Sequence, residues 1–177
     1  SKKKNNYIYV NYFRRTIPSF IKLKNYLKKS NKIKKMNVFY SKNLIRNGCH
    51  FIDLAHFLFG KIQFDQVNKF RKELCLKSNN AFIKLDFINN KTNDNFFEIN
   101  FDNKTIIVDK KTRIFEKVNT KKKQIFKNSR NEMDIFQKIS LNTFLIDYLN
   151  KSQRNNSGIY NSEDLLNTLN IIKKSKL

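Results

Sequence analysis

From Ile62 to Phe126 apolar residues recur at every second position in short runs, and few folds accommodate that pattern. Ile62 and Phe64 alternate with polar neighbours, as do Leu74 and Leu76. Ile83, Leu85 and Phe87 share one side against Lys84 and Asp86, and Phe97, Ile99 and Phe101 repeat the arrangement against Glu98 and Asn100. Further short strands are predicted around 105–108, 112–118 and 123–126. Turn formers separate the runs: Ser78-Asn79-Asn80, Asn89-Asn90, Asp102-Asn103 and Asp109-Lys110. Successive side chains of a strand point to opposite sides, so strict alternation builds a sheet with one apolar and one polar face. Short loops make it an antiparallel meander, and its apolar face requires a cover.

Helical periodicity on both flanks supplies that cover. Thr16 is placed to cap a helix with Pro18 in its first turn, and Phe20, Leu23 and Leu27 carry the helix to about Lys29. Met36, Val38 and Tyr40 alternate as a strand to Ser41. Asn47 and Gly48 read as a turn, after which an apolar helix runs from about Cys49 to Phe59, with Gly60 as its C-cap. From Met133 the period is helical again through Ile135, Ile139, Phe144, Leu145 and Leu149, followed by a loop at Asn155–Gly158. Ser162 then reads as an N-cap, with Glu163 and Asp164 in the first turn and Lys173, Lys174 and Lys176 in the last, charges that complement the helix dipole. Leu165, Leu169 and Ile172 form its apolar stripe. At the other end, Tyr7-Ile8-Tyr9-Val10-Asn11-Tyr12-Phe13-Arg14-Arg15 reads as a strand. The expected fold is therefore α+β: a largely antiparallel, open-faced sheet with helices packed on one face.

A chain of 177 residues with 40% hydrophobic and 14% aromatic residues can bury a core and is one domain with at most an appendage. No apolar run approaches the roughly 20 residues of a membrane span, and no apolar segment follows the lysine-rich start, so a soluble, cytosolic protein is expected. Cys49 and Cys75 show no zinc-type spacing and are expected as free thiols; no metal site is expected. The net charge of +23 accompanies an abundance of lysine, asparagine, isoleucine and phenylalanine and a scarcity of glycine, proline and tryptophan, the skew of an A/T-rich coding sequence. The lysines are spread over every segment, whereas a nucleic-acid binder gathers basic residues in one patch. The charge is accordingly read as genome bias, with weak, salt-sensitive adhesion to polyanions as its consequence.

The segment Asn47-Gly48-Cys49-His50-Phe51-Ile52-Asp53-Leu54, with its apolar continuation to Gly60, resembles the Asn-Gly-Ser-His-Leu-Ile-Asp-Leu segment of the glucose–fructose oxidoreductase/inositol dehydrogenase/MocA (Gfo/Idh/MocA) family. Asn11-Tyr12-Phe13-Arg14-Arg15 is similar to the strand end that closes that family's cofactor domain, and Ser162-Glu163-Asp164 with the following leucines resembles its last helix. The middle strands match by pattern only. The resemblance implies that residues 1–15 are the end of a dinucleotide-binding domain and its linker. Residues 16–177 would then be a C-terminal substrate-binding and oligomerisation domain, of the type also found in dihydrodipicolinate reductase. Because the resemblance starts in mid-protein and the first residue is Ser, a fragment or truncated reading frame is expected.

By the same resemblance His50 is the catalytic base. Many family members carry aspartate four residues before that histidine; Arg46 stands there, beside Asn47. The departure points to the asparagine-bearing branch that acts on sugars and nucleotide sugars, and it puts an Asp–His dyad out of reach. Arg14 and Arg15 are candidates for an anionic substrate or cofactor group, Asn47 for a substrate hydrogen bond, Asp53 for orienting His50 one turn away, and Tyr40 and Lys42 for lining the pocket. Each has a plainer reading: a solvated arginine pair, a turn asparagine, a structural hydrogen bond. A histidine near a helix start is, without the resemblance, more often a buried hydrogen-bonded residue or a cap. His56, on another face, is expected to be structural. Glycines 48, 60 and 158 cannot form a Gly-x-Gly-x-x-Gly loop, and the family's Glu-Lys-Pro motif is missing. NAD or NADP is therefore expected in the complete enzyme and not in this chain alone, which should be inactive without a dinucleotide-binding domain.

Phe82, Phe96 and Phe115 fall in the polar phase of the strands. In the resembled family that sheet face is commonly the oligomer interface, so a homo-oligomer is expected. The rival readings are a basic α+β module that binds nucleic acid, and a purely structural oligomerisation domain.

Overall fold

The computed structural model describes residues 12–30, 33–88, 95–127, 137–139, 141–142 and 162–176. The alternating segments form one eight-stranded sheet: β1 (Lys35–Tyr40), β2 (Ile62–Asn68), β3 (Glu73–Ser78), β4 (Phe82–Phe87), β5 (Phe96–Asn100), β6 (Thr105–Val108), β7 (Ile114–Val118) and β8 (Lys121–Phe126). The spatial order is β2-β3-β4-β1-β5-β6-β7-β8. Two antiparallel meanders thus flank β1, which pairs parallel with β4 (Val38 opposite Leu85) and antiparallel with β5 (Val38 opposite Phe97). The central position of β1 accounts for its alternation of half-buried and buried residues, with Met36 and Val38 fully enclosed.

Helices α1 (Pro18–Lys28), α2 (Cys49–Phe59) and α3 (Ser162–Ser175) cover the apolar face. A single core gathers Phe20 and Leu23 of α1, Ile52 and Leu54 of α2 and Ile171 of α3 against Met36, Val38, Leu76, Ile83, Leu85, Phe97 and Ile99 of the sheet. Tyr26 ties α1 to the sheet by donating from its hydroxyl to Glu116 at 2.7 Å. The opposite face is amphipathic. Phe39 and Phe96 stack there at 4.6 Å, Lys35 lies over Phe82, Arg113 and Lys122 over Phe115, and Lys84 bridges Glu73 and Asp86. Phe82, Phe96 and Phe115 are half-buried by these neighbours.

Several local expectations are corrected. Phe13–Thr16 is a short 3-10 turn and not the end of a strand, and Thr16 does not cap α1: its hydroxyl donates to the Phe13 carbonyl, and Ile17, without a side-chain cap, precedes Pro18. Asn47-Gly48 is not a turn. Leu44–Gly48 forms a wide π-type turn continuous with α2, begun by Asn43, whose side chain accepts from the Arg46 amide at 2.7 Å. Gly48 has ordinary helical angles. What requires glycine there is proximity, since an added Cβ would lie 2.6 Å from Leu44 Cδ1 and 3.2 Å from Tyr40 Cε2. Gly60 does end the helix, at φ 79° and ψ −151°, a region essentially closed to residues with a Cβ. In α3 the buried positions are Thr168, Ile171 and Ser175, while Leu169 is 51% exposed, so the stripe is rotated from the expected one. The strand at residues 7–11, most of the helix from Met133 to Leu149 and the loop at Asn155–Gly158 lie outside the described residues.

Candidate functional site

The apolar helix α2 carries two histidines at opposite ends, and the structure gives them opposite surroundings. Near the C-terminus His56 is 4% exposed. Its Nε2 lies 3.0 Å from Asn167 Nδ2, which also donates to the Ile62 carbonyl at 2.7 Å. A carbonyl only accepts, so the Asn167 atom is the amide nitrogen, His56 Nε2 is the acceptor, and the ring proton sits on Nδ1. That nitrogen faces Asp164 at 3.7 Å. Burial pulls the His56 pKa down, with Asp164 opposing. Beside it Arg15, 2% exposed, donates to both carboxylate oxygens of Asp53, from Nε at 2.9 Å and from Nη2 at 2.6 Å, and reaches Asp164 at 2.9 Å. Burial raises Asp53 to about 6 against the pull of Arg15, which leaves the carboxylate ionised at neutral pH. Of the candidate residues, Arg15 and Asp53 thus spend their polar atoms on each other. They lock the 3-10 turn to α2 and α3, a placement that positions the helix and does not offer either group to solvent.

His50 lies one and a half turns earlier on the helix, half-buried. Tyr12 meets its ring edge-on at 5.6 Å and Phe13 at 6.0 Å. Its Nδ1 is buried with no hydrogen-bond partner, which leaves Nε2 as the nitrogen available to a ligand. Burial, and then the nearby positive charge of Arg14, lowers its pKa to about 4, so the imidazole is neutral at physiological pH. Asp53 is not its partner, as the geometry above shows. Burial raises the Cys49 thiol and, most strongly, the Tyr12 hydroxyl, so both stay protonated.

Arg14 is half-buried with its guanidinium 4.8 Å from the Phe51 ring centre and 5.1 Å from that of Phe13. Burial lowers its pKa to about 10, still fully charged at neutral pH. It opens on a cavity of about 160 Å³ whose walls include Phe51, Asn95, Phe96, Asp109 and Lys110. Asn95 joins this cavity to Asn47: its Oδ1 accepts from the Ser41 amide at 3.0 Å and from Asn47 Nδ2 at 3.5 Å, and Asn47 Nδ2 also donates to the Ser41 carbonyl at 2.9 Å. The structure therefore puts Arg14 on this cavity and ties Asn47 to its wall through Asn95, while His50, near enough to Arg14 to feel its charge, is not among the cavity's lining residues. Tyr40 and Lys42 line a different hollow of about 300 Å³, with Lys69, Lys72, Phe87 and Lys176, that shares no lining residue with the first. Tyr40 is raised to about 12 by burial and is 2% exposed.

Tyr12, beside His50, and Asn95 and Lys110, on the Arg14 cavity, were not singled out in the sequence. Asn95 and Lys110 come from loops beside β5 and β6, whose lateral order no local pattern encodes. Tyr12 sits in the aromatic run before the arginine pair, which was its only signal. No group of His, Cys, Asp and Glu residues suited to a metal occurs among the described residues, and both cysteines are free. Among the described residues no helix is long and apolar enough to cross a membrane.

No protein-family model matches the sequence, and no curated protein matches it significantly. Solved structures do match in fold. A dehydrogenase (MviM) from Clostridium difficile superposes with a TM-score of 0.67 at 19% identity, over 93% of this chain and 60% of that one. KijD10, a 3-ketoreductase from Actinomadura kijaniata solved in complex with NADP, gives 0.73 at 12% identity, over 94% and 59%; it has also been solved with TDP-benzene. An oxidoreductase from Agrobacterium radiobacter, in complex with NAD+, L-tartaric acid and magnesium, gives 0.61 at 13% identity, over 94% and 60%. The chain thus spans about three fifths of the length of these oxidoreductases and has the fold of that portion of them. At these identities the likeness is one of fold.

Proposed function

We propose that residues 16–177 are the substrate-binding domain of a Gfo/Idh/MocA-like, NAD(P)-dependent oxidoreductase acting on a sugar or nucleotide sugar, with residues 1–15 the end of a dinucleotide-binding domain. The observation that carries the reading is His50. It is a neutral, half-buried imidazole with one nitrogen available, on the apolar helix of a fold shared with dehydrogenases across nearly the whole chain. KijD10, with its NADP and TDP-benzene complexes, supports the substrate class by analogy.

The described residues offer a dinucleotide no glycine-rich cradle; what fits a nicotinamide enzyme is the acid–base half, supported by the neutral, half-buried imidazole of His50. NAD(P), held by another domain, would supply the hydride acceptor. His50 Nε2 would take the proton of the reacting hydroxyl, with Nδ1 carrying the ring's own proton. Asn47, whose amide nitrogen is committed to Ser41, would accept from a second hydroxyl through Oδ1. Arg15 and Asp53 would act as positioning residues that fix α2 beneath the site. Tyr40 and Lys42 would meet the far end of a long substrate such as a nucleotide sugar. The amphipathic sheet face would pair with a second copy. With free thiols, the protein would reside in the cytosol.

The test joins the chain to a Gfo/Idh/MocA dinucleotide-binding domain and follows NAD(P) reduction with a panel of sugars. The expected result is sugar-dependent turnover that His50→Ala lowers by about 10²–10⁴-fold without a change in the folded spectrum. Turnover unaffected by His50→Ala would refute the assignment.

A further inference from the structure

Arginine is scarce here, 7 residues against 30 lysines, and one arginine stands in a place where lysine would not serve as well. Among the described residues, Arg46 and Arg71 lack ion pairs but are exposed, so water serves their donors, whereas Arg113 and Arg15 hold carboxylates. Arg14 is half-buried and has neither. Phe51 and Phe13 lie against its guanidinium, and the side chain lines the 160 Å³ cavity. A partly desolvated guanidinium with no protein acceptor is an unpaid electrostatic debt that a bound oxyanion would settle with a pair of parallel charge-assisted hydrogen bonds.

The other walls fit the same ligand. Lys110 adds a second positive charge at the mouth. Asp109, the one carboxylate among the described lining residues, does not oppose it: Oδ1 accepts from the Lys111 and Arg113 amides at 2.9 and 3.0 Å, and Oδ2 from Arg113 Nε and Nη2 at 2.7 and 2.6 Å. The volume is ample for a carboxylate or phosphate.

We propose that this cavity is the subsite for an anionic group of the substrate, a carboxylate or phosphate, held by Arg14 with the added positive charge of Lys110; the proposal rests on the substrate-domain reading above. It has a consequence for the adjacent base. The charged and titratable groups around His50 are Arg14 and Tyr12 from the preceding turn and Cys49 and Asp53 on its own helix, and of these Arg14 is the one that depresses its basicity. An anion on Arg14 would offset that charge and make His50 a stronger base when the substrate arrives.

The chain holds only two histidines, so their imidazole proton resonances make a direct NMR readout, assigned with His50→Gln. The 177-residue chain is titrated with glucose 1-phosphate, glucuronate and, as neutral control, glucose. Both anions are expected to shift the His50 resonance saturably and raise the pH at which it titrates, and glucose to do neither. Arg14→Gln should weaken anion binding about tenfold or more and Lys110→Gln about threefold. Equal affinity in Arg14→Gln, or anion shifts confined to surface lysines, would overturn the proposal. Should Arg14→Gln lose its fold, unchanged affinity in the exposed-loop variant Lys110→Gln would do so. Loss of anion binding alongside intact, His50-dependent oxidation of neutral sugars by the joined enzyme would strike the substrate class alone. Loss of both would strike the domain reading.

Discussion

The two ends of one eleven-residue helix differ in a way that separates structure from function. At the His56 end the charged groups find protein partners, Arg15 with Asp53 and Asp164, and His56 Nε2 and Asn167 are bonded, although His56 Nδ1, like His50 Nδ1, is buried without a hydrogen bond. At the His50 end aromatic rings lie against the Arg14 guanidinium and the His50 imidazole, and neither group has a carboxylate partner. Adjacent residues, Arg14 and Arg15, thus fall on opposite sides of the division. Paired groups report what folding needs, whereas unpaired ones at a cavity rim report what a ligand would complete.

The largest effect should come from breaking the closed end. Asp53→Ala leaves Arg15 buried against Asp164 alone and should cost about 3–5 kcal/mol, measured by denaturant unfolding. His50→Ala should cost about 1 kcal/mol or less. Comparable losses from the two would erase the contrast. Next comes the proton dependence of the open end. With a folded pKa near 4 against 6.5 unfolded, His50 binds fewer protons when folded, so its contribution to stability is full above pH 6.5 and falls as the pH drops toward 4. Asp53, raised to about 6, contributes with the opposite sign in an overlapping range, so the informative curve is the difference between the natural chain and His50→Gln. That difference should slope by up to about 3 kcal/mol between pH 6.5 and 4, and a flat difference would show an ordinary histidine.

The glycines that bracket the helix sharpen the same comparison on a smaller scale. Gly60→Ala forces a side chain into a glycine-only backbone region, at a cost of about 1–3 kcal/mol, although no atom lies within 4 Å. Gly48→Ala crowds Leu44 and Tyr40 but gains helix propensity, so its net cost should stay within about 1 kcal/mol. Thermal melts of the two variants check the order.

Much of the fold was legible because its signals are local. Alternation from Ile62 to Phe126 specified the strands, and the charges of Glu163, Asp164, Lys173 and Lys174 marked the last helix. The insertion of β1 between β4 and β5 was not legible, since lateral strand order depends on contacts distant in sequence. Nor was the start of α2, where the Asn43 cap and a widened turn replaced the turn expected at Asn47-Gly48. At the site, His50 and Arg14 were singled out by residue type and motif. That Arg15 and Asp53 would satisfy each other required the helix to be placed against the preceding turn, as did the arrival of Asn95 and Lys110 from the sheet's loops.

The central claim is that His50 is a neutral imidazole under the unpaired charge of Arg14, and a proton NMR titration of the His50 imidazole tests it most directly. The account predicts a midpoint near pH 4 that moves upward in Arg14→Gln. A midpoint near the ordinary 6.5, indifferent to Arg14, would contradict it.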